Sequence, residues 1–151
     1  MMERLNRACL GFCAGAIAAL VFHQGLAEVF DLLGIGSMRA FRTTPTWPLG
    51  LPAIVSLTFG GGLYGAFFAV VSTRLTCSHR LAALVYGFIL GILALFVFLP
   101  LRGIPMLHDG AIWPICRTLI LNVSWGLGLS LILPWLQPRP LFRPRLGTKS
   151  A

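Results

Sequence analysis

Residues 22–31 place several side chains capable of chemistry inside an otherwise apolar segment. This stretch has ionisable groups at His23, Glu28 and Asp31 and an amide at Gln24. At helical spacing, Gln24, Glu28 and Asp31 lie within about 60° of one another, so they share one face. Because ionisable residues inside an apolar span are costly, a site for a proton, an ion or a small solute is the default hypothesis.

Polar side chains in two other segments are expected at a similar depth. The candidate pocket comprises His23, Gln24, Glu28, Asp31, Ser56 and Asn122, and the candidate lid comprises Arg39, Arg42, His108 and Asp109. The third apolar segment offers only apolar side chains at this level, so we expect it to act as a buttress. A purely structural role is the alternative. In that case His23 bonds to Asn122 or Ser56, and the two carboxylates pair with Arg39 or Arg42.

The composition of the whole chain is typical of a membrane protein. Of its 151 residues 57% are apolar and 11% are charged, and the mean hydropathy is +0.86. Soluble domains have roughly 45–50% apolar and 25% charged residues. A helix needs about 20 residues to cross a bilayer, and four runs are that long. We therefore predict an all-α integral membrane four-helix bundle over 1–136, with spans near 8–33, 51–73, 81–101 and 115–136, followed by a disordered basic tail over 137–151.

The basic residues indicate an orientation rather than nucleic-acid binding. Eight of the twelve lie on the side of the two termini, and four lie on the other side. The positive-inside rule places both termini in the cytoplasm. Trp47-Pro48 and Trp113-Pro114 are then expected to introduce spans two and four at the outer face. The basic tail is expected to contact anionic lipid.

The two Trp-Pro pairs also raise the question of an internal repeat. They are 66 residues apart, an offset that aligns Gly60 with Gly126 and Gly62 with Gly128. This pattern fits a parallel repeat of two spans plus two, although chance matches in glycine-rich helices explain it as well. Small residues allow helices to pack closely in lipid, either within the bundle or against a second copy or a partner. The candidate packing positions are Gly11, Gly15, Gly61, Gly65, Gly87, Gly91, Gly126 and Gly128.

The sequence gives no positive indication of a metal site, a cofactor or catalysis. Cys9, Cys13, Cys77 and His79 are on one side of the predicted membrane, but they form no Cys-x-x-Cys pair. His23 is the one histidine inside a span, whereas a haem in a bundle normally needs two axial ligands. Nucleophile-elbow, zinc-protease and phosphate-loop motifs do not occur. We therefore expect a protein that is not an enzyme and has no bound cofactor.

Four motifs resemble a family of small bacterial inner-membrane proteins. They are residues 21–25 (VFHQG), 44–52 (TPTWPLGLP), 59–65 (FGGGLYG) and 122–128 (NVSWGLG). The resemblance extends over residues 11–133 and implies four spans in a bacterial inner membrane. It carries over no functional residue.

Two functions remain open at this point. The favoured hypothesis is an accessory or assembly subunit of a larger membrane complex. The alternative is a small oligomeric transporter or channel whose outer pocket binds a proton, an ion or a small solute. The expected partners are the lipid bilayer and either a second copy or another membrane protein, and no nucleic acid.

Overall fold

Four long helical segments dominate the structure, a computed structural model that describes residues 1–35, 39–46 and 49–137. The helices are α1 (Met2–Ala18), α2 (Gly25–Leu32), α3 (Ala53–Val71), α4 (His79–Leu93) and α5 (Ile112–Leu136), and the strands β1 (Pro45–Thr46) and β2 (Leu51–Pro52) form a short antiparallel ribbon. The segments Met2–Leu32, Ala53–Arg74, His79–Phe98 and Ile112–Leu136 are each long and apolar enough to cross a membrane. The four expected apolar helices are therefore present. Trp47-Pro48 and the tail after Gln137 lie outside the described residues.

The boundaries of the helices follow local chemistry. Leu51, expected in the second span, lies instead in β2, because a residue before proline is disfavoured in a helix and Pro52 comes next. The first helix begins at Met2 rather than near residue 8, and its exposed first turns carry an Arg7–Glu3 ion pair of 2.9 Å. The Ser78 hydroxyl caps α4 by accepting a hydrogen bond from an amide of its first turn.

Two of the four segments contain a π-helical turn, which the apolar pattern does not predict. One covers Ala19–Gln24 and joins α1 to α2, and the other covers Ala94–Phe98 and follows α4. The Ser124 hydroxyl of α5 donates to the carbonyl of Phe22 at 3.1 Å, within the first of these turns. A polar side chain from a neighbouring helix thus supports the irregular backbone, as expected where an apolar helix departs from α geometry.

Glycines bring the helices together as two close pairs. A Cβ built on Gly11 would lie 2.5 Å from the carbonyl oxygen of Gly65, and Gly15 meets Gly61 in the same way, so α1 and α3 touch through their backbones. A Cβ on Gly87 would lie 2.5 Å from the Asn122 carbonyl oxygen, which puts α4 equally close to α5. Small residues permit this approach because they have little or no side chain between the backbones.

The remaining packing glycines bear on the repeat. Gly126 approaches the Ala83 carbonyl in the second pair, as Gly65 approaches that of Gly11 in the first. By its contacts, Gly126 therefore corresponds to Gly65, whereas the 66-residue offset aligns it with Gly60. Gly91 faces Leu119, and Gly128 of α5 faces the Phe22 ring of the first π turn. The two pairs are alike in their packing, but they do not follow the offset of the Trp-Pro pairs.

Small side chains lie inside this arrangement and many large apolar ones lie outside. The buried core is rich in alanine, and its large members are Phe68, Leu90, Trp125, Leu129 and Leu133. Outward-facing large side chains include Phe59 at 55% exposed, Leu63 at 52% and Trp135 at 79%. A water-soluble protein of this size buries such groups for their hydrophobic free energy. Here those side chains remain exposed.

Candidate functional site

A cavity of about 330 Å³ opens at one end of the helices. We call this the loop end, because the connections between α2 and α3 and between the second π turn and α5 lie there; the chain termini of the helical region and the 75–78 connection lie at the opposite, terminal end. All four helical segments contribute to the wall of the cavity. Both π turns do so as well, so the irregular backbone lies where the cavity lies.

The first segment contributes His23 and Gln24 from its π turn. The Gln24 amide nitrogen lies 3.3 Å from His23 Nδ1, and because an amide nitrogen donates, Nδ1 is the acceptor. The oxygen of the same amide accepts the Phe41 backbone N–H at 2.6 Å. Gln24 therefore uses both ends of its amide within the protein. It joins the cavity wall to the loop above it.

That loop carries two arginines over the cavity. We call residues 39–42 the arginine segment; Arg39, Ala40 and Arg42 line the cavity. The Ala40 N–H donates to Asp31 Oδ2 at 2.7 Å, and the Arg42 carbonyl accepts from the Ile54 N–H at 2.9 Å. The segment is thus held by side chains of the first helical segment and by the free amides at the start of α3.

Helix α5 presents a continuous face to the cavity, formed by Arg117, Thr118, Leu121, Asn122 and Trp125. These positions recur at helical spacing. The Asn122 side-chain nitrogen donates back to the Thr118 carbonyl at 2.9 Å. The Trp125 indole N–H donates to a carbonyl of α1 at 2.9 Å and is buried. This face is therefore rigidly positioned.

Arg117 is the most buried charged residue among those described, at 7% exposed. Its Nη2 lies 3.8 Å from Asp31 Oδ1, so the carboxylate that fixes the arginine segment also partly balances this charge. Burying a guanidinium is costly unless it is compensated. One carboxylate therefore links α2, α5 and the arginine segment.

The other two helical segments supply mostly apolar walls. Helix α3 contributes Leu57 and Tyr64, and the third segment contributes Leu90 and Phe98. Just after the second π turn, Arg102 adds a fourth arginine at the mouth. The third segment is therefore a buttress with a charged end, rather than the wholly apolar wall that the sequence suggested.

Only some of the predicted site residues line this cavity. His23, Gln24, Asn122, Arg39 and Arg42 do. Glu28 is exposed, and neither Glu28 nor Asp31 is part of the wall. The Asp31 carboxylate contacts the Ala40 N–H and Arg117 instead.

The remaining three candidates make other contacts. The Ser56 hydroxyl pairs with that of Thr46 at 2.8 Å, away from the cavity wall. His108 lies in a turn with left-handed backbone, its Nε2 3.5 Å from the Thr118 hydroxyl, and the neighbouring Asp109 is exposed. The structural alternative also needs changing, because His23 bonds to Gln24 rather than to Asn122 or Ser56.

Four residues of the cavity wall were not predicted as site residues from the sequence: Arg117, Arg102, Tyr64 and Trp125. For Arg117 a signal was available: Trp113-Pro114 marks the start of a helix, which puts the arginine inside a span, where function is the default hypothesis. Arg102 and Tyr64 carry no such signal, because their position depends on how the third segment meets α3.

The cysteines do not form part of the site. Cys9, Cys13 and Cys77 are exposed, and within the described part of the chain no three Cys, His, Asp or Glu side chains converge as metal ligands would. No protein-family model, curated protein or solved structure matches this chain.

Proposed function

We propose that this chain is a multi-pass protein of a bacterial inner membrane, a four-helix bundle whose loop-end cavity takes up a small solute as a transporter or channel component does. The cavity carries the functional part of this proposal. It is shared by all four segments, both π turns face it, and it combines apolar walls with a few placed polar groups. Ligand sites generally have this character.

The distribution of side chains supports the membrane part of the proposal. Large apolar groups face outward, and alanine and glycine fill the contacts between helices. Hydrocarbon would cover the outer groups at no cost, and close backbone packing would hold the helices together. The four segments have the length and hydropathy that such crossing requires.

An accessory or assembly subunit is the second candidate. The outward apolar side chains favour it, because the helices of a partner would cover them as well as lipid does. However, most of the glycines that would allow a partner to approach closely already contact the backbone of this chain's own helices, namely Gly11, Gly15, Gly61, Gly65, Gly87 and Gly126. For this reason we rank solute binding first.

Filling the cavity tests the proposed function. Ala94 lines the cavity, whereas its neighbour Leu93 is 39% exposed and does not. The purified chain in detergent is screened for thermal stabilisation by a panel of small organic anions and cations. We expect a stabilising solute whose effect is lost in Ala94→Trp and kept in Leu93→Trp. If Ala94→Trp leaves every such effect intact, the cavity is not the site.

A labelling experiment tests the orientation. Cys77 is exposed at the terminal end, and Met106 is 57% exposed at the loop end. With the other native cysteines replaced by serine, a membrane-impermeant maleimide should label Met106→Cys in intact cells, and it should leave a variant that keeps only Cys77 unlabelled until the cells are lysed. The opposite pattern would show that the termini are outside.

A further inference from the structure

The charged side chains that line the cavity are all arginines. Arg39 and Arg42 come from the arginine segment, Arg102 from the end of the third segment and Arg117 from α5. Among the described residues no carboxylate belongs to the wall, although Asp31 Oδ1 lies 3.8 Å from Arg117 Nη2 and partly balances that one charge. A cleft lined by one sign of charge focuses its field and concentrates ions of the opposite sign. The cavity should therefore attract anions.

Membrane topology does not account for these four arginines. The positive-inside rule explains the eight basic residues on the side of the termini, whereas the loop end would be the outer side, where basic residues are not favoured. Every basic residue assigned to that side lines the cavity. A role in the cavity is the simpler explanation for their presence.

The chemistry of the wall favours recognition by charge. Both ends of the Gln24 amide, and the nitrogen of the Asn122 amide, are engaged within the protein. Guanidinium groups bind phosphate in a planar, two-pronged geometry, and several of them together suit a phosphate that carries more than one charge. A phosphate monoester matches this set of groups better than a neutral sugar or an amide.

Much of the cavity wall is apolar. Leu57, Leu90, Leu121 and Trp125 contribute to it beside the arginines. A volume of about 330 Å³ is near the lower end of the roughly 300–1,000 Å³ of ligand pockets. It holds a headgroup and the first carbons of a chain, but it is too small for a whole lipid. The rest of a lipid would have to leave between two helices.

The boundary between α3 and α4 offers that exit. Across their lengths these helices have almost no close backbone contact, unlike the two glycine-packed pairs. Aromatic side chains fill this boundary instead: the Tyr86 hydroxyl of α4 donates to the Tyr64 carbonyl of α3 at 3.3 Å, and the Phe98 ring, at the end of the π turn that follows α4, lies 6.0 Å from the Tyr64 ring. Tyr64 and Phe98 also line the cavity. Side chains can turn aside for a hydrocarbon chain far more easily than a packed backbone can.

We propose that the cavity binds a phosphate-bearing amphiphile, with its phosphate among Arg39, Arg42, Arg102 and Arg117 and its apolar chain passing between α3 and α4. This inference rests on the proposed function and names its solute. Tight binding needs both parts, since the phosphate carries the charge that the arginines attract and the chain packs against the apolar part of the wall.

Binding to the purified full chain in a neutral detergent tests the proposal. The probes are a short-chain phosphatidic acid, the phosphatidylcholine with the same acyl chains, glycerol phosphate and inorganic phosphate. Affinity is measured by native mass spectrometry and by thermal stabilisation. We expect phosphatidic acid to bind at least about tenfold more tightly than the other three, because only it combines a free phosphate monoester with a chain.

Arginine variants locate the binding. Arg39 and Arg102 are exposed, so Arg39→Gln and Arg102→Gln should fold normally. Each should weaken phosphatidic acid binding by about tenfold or more, as expected for the loss of a charge-assisted hydrogen bond. Arg80→Gln, an exposed arginine at the terminal end, is the matched control and should not change it. Ala94→Trp should abolish binding.

Each alternative result has a distinct meaning. If inorganic phosphate binds as tightly as phosphatidic acid, the ligand is a soluble phosphate, and the proposal of an amphiphilic ligand is overturned. Equal binding of phosphatidylcholine, with silent arginine variants, would overturn recognition of the phosphate. Suppose that another solute binds and that Ala94→Trp abolishes its binding, whereas phosphatidic acid does not bind. This inference then fails and the proposed function stands. If Ala94→Trp alters no binding at all, both fail.

Discussion

Replacing Gly87 with alanine tests the close approach of α4 and α5, which also positions the α5 face of the cavity. The added Cβ would lie 2.5 Å from the Asn122 carbonyl oxygen, whereas ordinary contact begins near 3.4 Å. The helices would have to separate by about 0.9 Å, the difference between these distances. Because both contact partners belong to rigid backbone, no side chain can simply turn away.

The cost can be bracketed with a matched glycine. Overpacking typically costs about 1–3 kcal/mol, and alanine in a helix recovers about 1 kcal/mol relative to glycine. Gly60 lies inside α3 with nothing within 4 Å of its built Cβ, so Gly60→Ala has the same gain in helix propensity without the clash. The free energies of unfolding of the two variants should therefore differ by about 1–3 kcal/mol, Gly87→Ala being the less stable.

Unfolding by SDS in mixed micelles, followed by circular dichroism, measures this difference. Asn122 lines the cavity, so Gly87→Ala should also weaken the binding of any solute that the native chain binds there. Equal stability of the two variants would refute the backbone contact between α4 and α5, and with it the rigid position of Asn122.

Three smaller changes test other contacts. Trp125→Phe removes the indole donor to α1 and should cost about 1 kcal/mol in the same unfolding assay, while Trp135→Phe, exposed at 79%, should cost nothing measurable. Ser78→Ala removes the cap of α4 and should cost about 1 kcal/mol, with faster amide exchange in its first turn. Gln24→Ala removes the acceptor of the Phe41 N–H, so exchange of that amide should accelerate; Gln24→Glu keeps an acceptor and should preserve its protection.

The helices could be predicted from the sequence because their signals are local. Long apolar runs place the four segments, and Pro52 explains why α3 begins at Ala53 rather than two residues earlier. The π turns could not be predicted in this way. The turn at Ala19–Gln24 is supported by Ser124, which is about a hundred positions away in the chain and meets Phe22 only after the helices have packed.

The site was partly predictable for the same reason. His23 and Gln24 stand out as polar groups within an apolar run, and the structure puts both on the cavity wall. Asp31 shares the predicted face of Gln24, yet its carboxylate accepts from the Ala40 N–H and lies near Arg117. Helical periodicity locates a side chain on a face, but the partners of that side chain come from other elements. The loop carrying Ala40 is one that periodicity cannot place.

The same packing separates the two candidate functions. A partner that docked on this chain would meet large side chains such as Leu63 and Trp135, because the packing glycines are occupied internally. An accessory subunit should therefore lose its partner, in a pull-down from native membranes read by native mass, when Leu63→Ala and Trp135→Ala are combined. A solute-binding protein should tolerate that pair and respond to Ala94→Trp instead, since Ala94 lines the cavity and the other two do not. If the partner still co-purifies with the double variant, association uses a different face of the chain. The effect of Ala94→Trp on solute binding would then be the remaining test of the cavity.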